Sequence, residues 1–336
     1  METGSSYRRR WPLALRVIGS VLLAYVLGVL VLMWWWDKEP PHFDVTANAR
    51  ARVQALDARM VTGSVSAATL ATVAETLLDK RGGYLSNDRL PPGVLMDNVP
   101  NWEFGVVTAT RDFARALRNE FSRSQTQSVE DKDLQEADPL FSSPNDRWLL
   151  PSSESQYRKG IARVDSYLVR LGEGPGSGAE FYARADNLAD FLQIASSRLG
   201  SLSQRLSASV GQDRIDSDSD AATSDASAPI GNVMVKTPWT KIDDNFYEAR
   251  GYTWALREQL EAIRVDFAPI LRNKNAVISL EQVIRELEGA QRPLRSPIVL
   301  NGAPFGFFAN HSLVMANYIS RANAAMIDLR ELLKRG

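Results

Sequence analysis

Histidine is the side chain best suited to proton transfer near neutral pH, and this chain has two, His42 and His311. Two histidines and no cysteine leave no multi-histidine metal site, no thiolate nucleophile and no cysteine-ligated zinc or iron–sulfur centre. The helix pattern HExxH is absent, and so are the Gly-x-Ser-x-Gly turn and the Ser-x-x-Lys pair that activate a serine. Gly172-Glu173-Gly174-Pro175-Gly176 looks like a phosphate loop, but it follows a helical pattern rather than a strand and lacks the Gly-Lys-Ser/Thr ending. Asp216, Asp218 and Asp220 occupy the first acidic positions of a calcium loop, yet Ala221 stands where its glycine belongs and Ser227 where its closing glutamate belongs. No metal and no cofactor is expected, and His42 and His311 read as an interfacial and a helix-start residue.

Two loops remain as candidate sites. The first groups Tyr84, Asn87, Asp88, Asp97, Asn98, Trp102 and Glu103, a composition that long loops inside helical domains use for binding. Carboxylates such as Asp88 and Asp97 could serve acid–base hydrolysis if folding brought them to a substrate. The second groups Asn301, Phe305, Phe307, Phe308 and His311, whose aromatic run could fill a core or meet an apolar partner or lipid.

The elements that must position these loops read as helices. Periodicity begins near Thr46 and Ser66, and Gly82-Gly83 stops the second segment. Asn101 reads as the cap of a helix carrying Val106, Phe113, Leu117 and Phe121, and Ser128 with Asp131 as a capping box opening a short helix that Pro139 ends. Phe181, Ala185, Leu188, Leu192, Ala195, Leu199, Leu202 and Leu206 follow at spacings of 4 and 3, and so do the apolar residues from Ile242 to Ile270. Two such seams predict a long antiparallel helical hairpin, its tip a disordered acidic linker over 211–228, with Pro269 ending or bending the second helix. Ser279 with Gln282 reads as a further capping box, Asn301-Gly302 as a hairpin turn, and a last helix runs from Asn310 to Leu333. The expected fold is all-α: a transmembrane helix followed by a multi-helix bundle over 46–336.

Residues 17–36, VIGSVLLAYVLGVLVLMWWW, carry no charge, and about 20 helical residues span the roughly 30 Å of a hydrocarbon core. Arg8, Arg9, Arg10 and Arg16 precede the span and three tryptophans close it, which predicts a cytoplasmic tail over 1–16. A cleaved signal would have a shorter apolar run followed by small residues; the triplet Ala47-Asn48-Ala49 has that pattern but lies beyond Pro40-Pro41. Ser20, Ala24 and Gly28 give the span a small-residue face on which a second copy could pack. Residues 37–45 read as an extended spacer. Outside the tail, 35 basic residues meet 39 acidic ones, so no nucleic acid is expected.

The stretches AETLLDKRGGYLSND, NWEFGVV, PSSESQY, FYARADNL, RLGSLSQRLSASVG, NFYEARG and ANHSLVMANYISRANAAMIDLREL are similar to those of a proteobacterial single-span family, the domain of unknown function 2333. That resemblance implies an inner-membrane setting and a periplasmic domain, and carries no activity, cofactor or catalytic residue over to this chain. The expected role is non-enzymatic, a periplasmic bundle tethered to the lipid bilayer by its transmembrane helix that binds or scaffolds an envelope protein or other component. The alternative is a membrane-anchored hydrolase of cell-wall or lipid material working through loop carboxylates. A sensor is disfavoured because the tail leaves no room for an output domain.

Overall fold

The computed structural model describes residues 11–123, 129–215, 232–296, 298–304 and 306–335. The first helix, α1 (Trp11–Trp36), is long and apolar enough to cross a membrane and projects from the rest with almost none of its surface covered. Ten more α-helices follow among the described residues: α2 (Val45–Ala55), α3 (Ser64–Asp79), α4 (Asn98–Ala116), α5 (Lys132–Phe141), α6 (Ser153–Glu173), α7 (Ala185–Ser207), α8 (Ile242–Asp266), α9 (Ala268–Asn273), α10 (Val277–Ala290) and α11 (His311–Lys334). One contiguous core runs through them from Val45 to Leu333, so the all-α expectation holds.

Local chemistry sets the helix ends. Asp44 caps α2 by accepting the N–H groups of Thr46 and Ala47 at 2.9 Å. Asp131 caps α5, Ser152 caps α6 and Asn310 caps α11 in the same way. Three caps differ from expectation: Asp131 is itself the cap of α5 rather than the acidic end of a box opened by Ser128, which lies outside the described residues. Asp97 rather than Asn101 precedes α4, and Ser279 lies inside α10. Pro139 is tolerated within α5, whereas α8 does stop before Pro269, which stands in the first turn of α9 where a missing N–H costs nothing.

The apolar seams of α7 and α8 are buried as their spacing requires, but their main partners are not each other. α8 lies along α4, and α7 lies along α11. Small residues decide this. A Cβ on Gly105 of α4 would stand 2.1 Å from the Glu248 carbonyl oxygen, and one on Gly251 of α8 would stand 1.9 Å from that of Trp102, so the two backbones touch where both lack side chains. Gln259 adds a 3.1 Å bond to the Ala109 carbonyl. Along α7, Ser196 meets Asn323 at 2.6 Å and Ser203 meets Ser320 at 2.5 Å, a short polar seam that lets α11 approach in the antiparallel sense. The expected hairpin therefore opens, and each arm packs elsewhere.

The connection between α7 and α8 also departs from a wholly disordered linker. Residues Gln212–Ile215 (β1) pair antiparallel with Asn232–Val235 (β2), Gln212 opposite Val235. The rest of the linker, with Asp216, Asp218 and Asp220, lies outside the described residues.

Contacts give the bundle two ends. At one, Trp36 packs on Gly82, Lys80 reaches Glu103, and Glu39 reaches Arg250, so the exit of α1 gathers the end of α3 and the beginnings of α4 and α8. Asn87 bonds Glu154 and brings the start of α6 there, and Arg205 bonds Glu248 and brings the end of α7. The opposite end holds Gly63 against Asp266, and Arg59 against the Gly172 carbonyl at 3.1 Å.

Candidate functional site

The first loop is held from within. Glu103, fully buried on α4, accepts the N–H groups of Leu85 at 2.8 Å and Ser86 at 2.7 Å, takes the Ser86 hydroxyl, and pairs with the buried Lys80 ammonium. Burial pushes the Glu103 carboxyl above its usual value, and Lys80 opposes that shift. Tyr84 donates to the Asn145 carbonyl at 2.7 Å, Asn87 to the Arg147 carbonyl at 2.8 Å and to Glu154 at 2.7 Å, and Asp88 packs on Gly93. Asp97 caps α4, Asn98 bonds Asp37, and Trp102 is buried against Trp254 with ring centres 5.4 Å apart. Asp88 and Asp97 serve separate local contacts, Asp97 as a helix cap and Asp88 beside Glu154. Most of these side chains position the chain, while Asp97 and Asn98 also line a cleft of about 190 Å³ against Met33, Trp34 and Asp37 at the exit of α1.

The second loop borders a larger one. A groove of about 310 Å³ lies between Phe246 and Arg250 of α8, the end of α10, the segment 292–295, and His311, Val314, Met315 and Tyr318 of α11. No described residue of the 84–103 loop lines it, so the two candidate loops do not converge. Asn301 bridges Asn310 and donates to the Ser209 carbonyl at 3.0 Å, which places it in an arm of the hairpin rather than its turn. Phe307 and Phe308 project into solvent, edge to face at 5.8 Å, and fill no core. Phe305 lies outside the described residues. Ser20, Ala24 and Gly28 are uncovered on α1, and a Cβ at Gly28 would meet nothing.

The groove is cationic over an apolar floor. Arg250 is almost fully buried and already neutralised: Glu39 takes it bidentately at 2.6 and 2.5 Å, and the carbonyls of Ala290 and Arg292 complete its shell. Arg292 and Arg295 differ. Among the described residues neither has a carboxylate partner, and Arg292 lies over the Tyr318 ring at 5.7 Å. His311 accepts the Leu300 N–H on Nδ1 at 3.0 Å, which puts its own proton on Nε2, and burial lowers its pKa, so it acts as a neutral donor. Sequence reasoning singled out His311 and passed over the arginines. The signal was present in the charge pattern: residues 289–327 contain no acidic residue but hold Arg292, Arg295 and Arg321.

The spacer is also more than a spacer. His42 bonds the buried Glu258 at 2.5 Å and stacks on Trp254, with ring centres 6.2 Å apart. Among the described residues no three His, Asp or Glu side chains group as metal ligands would.

A family model described as an uncharacterized protein conserved in bacteria, the domain of unknown function 2333, matches residues 9–336. No curated protein and no solved structure matches the chain.

Proposed function

Because the chain belongs to this bacterial family of unknown function, which carries no activity over to it, we propose a role from the geometry: a membrane-anchored helical domain that binds an anionic, partly apolar component of the envelope. In this reading α1 spans the inner membrane, the arginine-rich tail stays in the cytoplasm, and the bundle stands in the periplasm. The groove carries the proposal. It sets two guanidinium groups that have no carboxylate partner among the described residues in one groove with a neutral histidine donor and with Phe246, Leu294, Val314 and Met315. Such a surface fits a phosphate or carboxylate head attached to an apolar body.

The test uses full-length protein in nanodiscs and compares phosphatidic acid with phosphatidylcholine of the same chain length, with inorganic phosphate as the soluble arm. At about 1 kcal/mol for each arginine near a membrane surface, Arg292→Gln with Arg295→Gln should weaken phosphatidic acid binding by about 30-fold and leave phosphatidylcholine unchanged. Phosphate binding without lipid preference would point to a soluble anion as the source. Unchanged affinity in the double variant would refute the site.

A further inference from the structure

We propose that the end of the bundle from which α1 emerges is itself a bilayer-contacting face, seated in the headgroup layer of the membrane that α1 crosses. This rests on the reading of α1 as a span, and goes beyond it by making the domain a docked body rather than one on a free tether.

Exposed apolar side chains are distributed unevenly. Among the described residues outside α1, the large apolar side chains with more than half their surface in water stand at this end, on loops or, for Val314, in the first turn of α11, with Val129 and Ile278 the exceptions. The 89–96 loop presents Leu90 at 76% and Leu95 at 59% exposure, and Leu95 and Met96 border the same cleft as Met33 and Trp34 of α1. The neighbouring 144–152 loop, tied to the first by the Asn87 bond to Arg147, presents Trp148 and Leu150, the latter 94% exposed. Trp239 immediately precedes α8, and Phe307 stands in the α10–α11 connection, 99% exposed.

Soluble proteins rarely leave several such clusters on one side without something to cover them. Continuity with α1 says what covers this one, because the apolar surface of the helix runs directly into the first loop. Trp148 and Trp239 are the ring type that favours the headgroup layer. Charges of both signs border these loops, with Arg89 and Arg147 exposed beside Asp97 and Asp146, so the loops dock by apolar insertion, and attraction to an anionic head is confined to the Arg292–Arg295 groove.

The chain has no cysteine, so single labels are straightforward. Leu95→Cys, Leu150→Cys and Phe307→Cys, each carrying an environment-sensitive fluorophore, would be compared in phosphatidylcholine vesicles with Val26→Cys in α1 and Ile278→Cys at an exposed site on α10. Labels at 95, 150 and 307 should be quenched by lipids spin-labelled near the headgroup, to about half the extent that deep acyl-chain spin labels quench position 26, and be shielded from aqueous iodide. Position 278 should show the reverse. If position 26 is quenched while 95, 150 and 307 behave like 278, the docked face is wrong and the span stands. Shielding from iodide without lipid quenching would mean that a protein covers the face, which also overturns the proposal. An unquenched position 26 would remove the span and the docked face together.

Discussion

Replacing Lys80 with methionine decides whether Glu103 holds the fold or is spare for chemistry. The Lys80 side chain is 3% exposed and that of Glu103 is not exposed at all. The substitution preserves the length of the stem and strands a buried carboxylate. Loss of one partner of a buried ion pair typically costs about 3–5 kcal/mol, and the lower end applies because Leu85, Ser86 and its hydroxyl still donate to Glu103. At this chain size each kcal/mol moves the midpoint by about 2 °C, so a loss of about 6 °C or more is expected in thermal melts followed by circular dichroism on the full chain in nanodiscs. The deficit should depend on pH in a defined direction. Burial already holds the Glu103 carboxyl above 4.5, and removal of Lys80 raises it further. The unfolded chain then loses its proton first as pH rises, so the deficit is smallest near pH 4.5 and grows above it. Adding Glu103→Gln removes the stranded charge and should recover part of the loss. A deficit under about 1 kcal/mol, or one equal at pH 4.5 and pH 8, would refute the structural role of this carboxylate.

Gly251→Ala should be among the most damaging single-methyl additions, exceeding the usual cost of about 1–3 kcal/mol for overpacking, because the atom it strikes is a backbone oxygen that cannot swing aside. Gly28→Ala, with no neighbour within reach, should leave the same melt unchanged. His311 has a pKa below 6.5 in the folded chain, so the unfolded chain takes up its proton first on acidification. Its contribution to stability should fall by less than about 1 kcal/mol as pH drops through 6.5 toward 5, and melts of His311→Gln should lack that component.

Helix positions were legible because burial follows period. Leu188, Leu192, Leu199 and Leu206 on α7, and Leu256, Leu260 and Ile263 on α8, are all buried. The choice of partner was not legible from the same residues, since a leucine seam fits any other leucine seam. It is made by Gly105 and Gly251, and by Ser196 and Ser203, which carry no hydrophobic signal and matter only once two backbones are close. Glu103 was visible as a loop-associated carboxylate, but its occupation by Lys80 depends on α3 and α4 meeting at their near ends. The Arg250 clamp was hidden for a related reason: its partner Glu39 is 211 residues away in the chain.

That clamp bears on what the groove can hold. Asp37 to Glu39 is three residues beyond the apolar run, and an extended chain covers about 10 Å in that distance. The polar layer on each side of a bilayer is about 5–8 Å thick. The Asp37 N–H still bonds the Met33 carbonyl, so the actual rise is shorter; if α1 ends its span at Trp36, the Glu39 carboxylate lies within the headgroup layer, and its bond to Arg250 brings one wall of the groove to the same level. His42 on Glu258 and Trp36 on Gly82 fix the exit on either side, so this height is not set by a flexible linker. A molecule with its head on Arg292 and Arg295 could therefore keep its tail in the bilayer. A fully soluble ligand would gain nothing from that proximity, and the position of the groove accordingly favours a membrane lipid over a free anion.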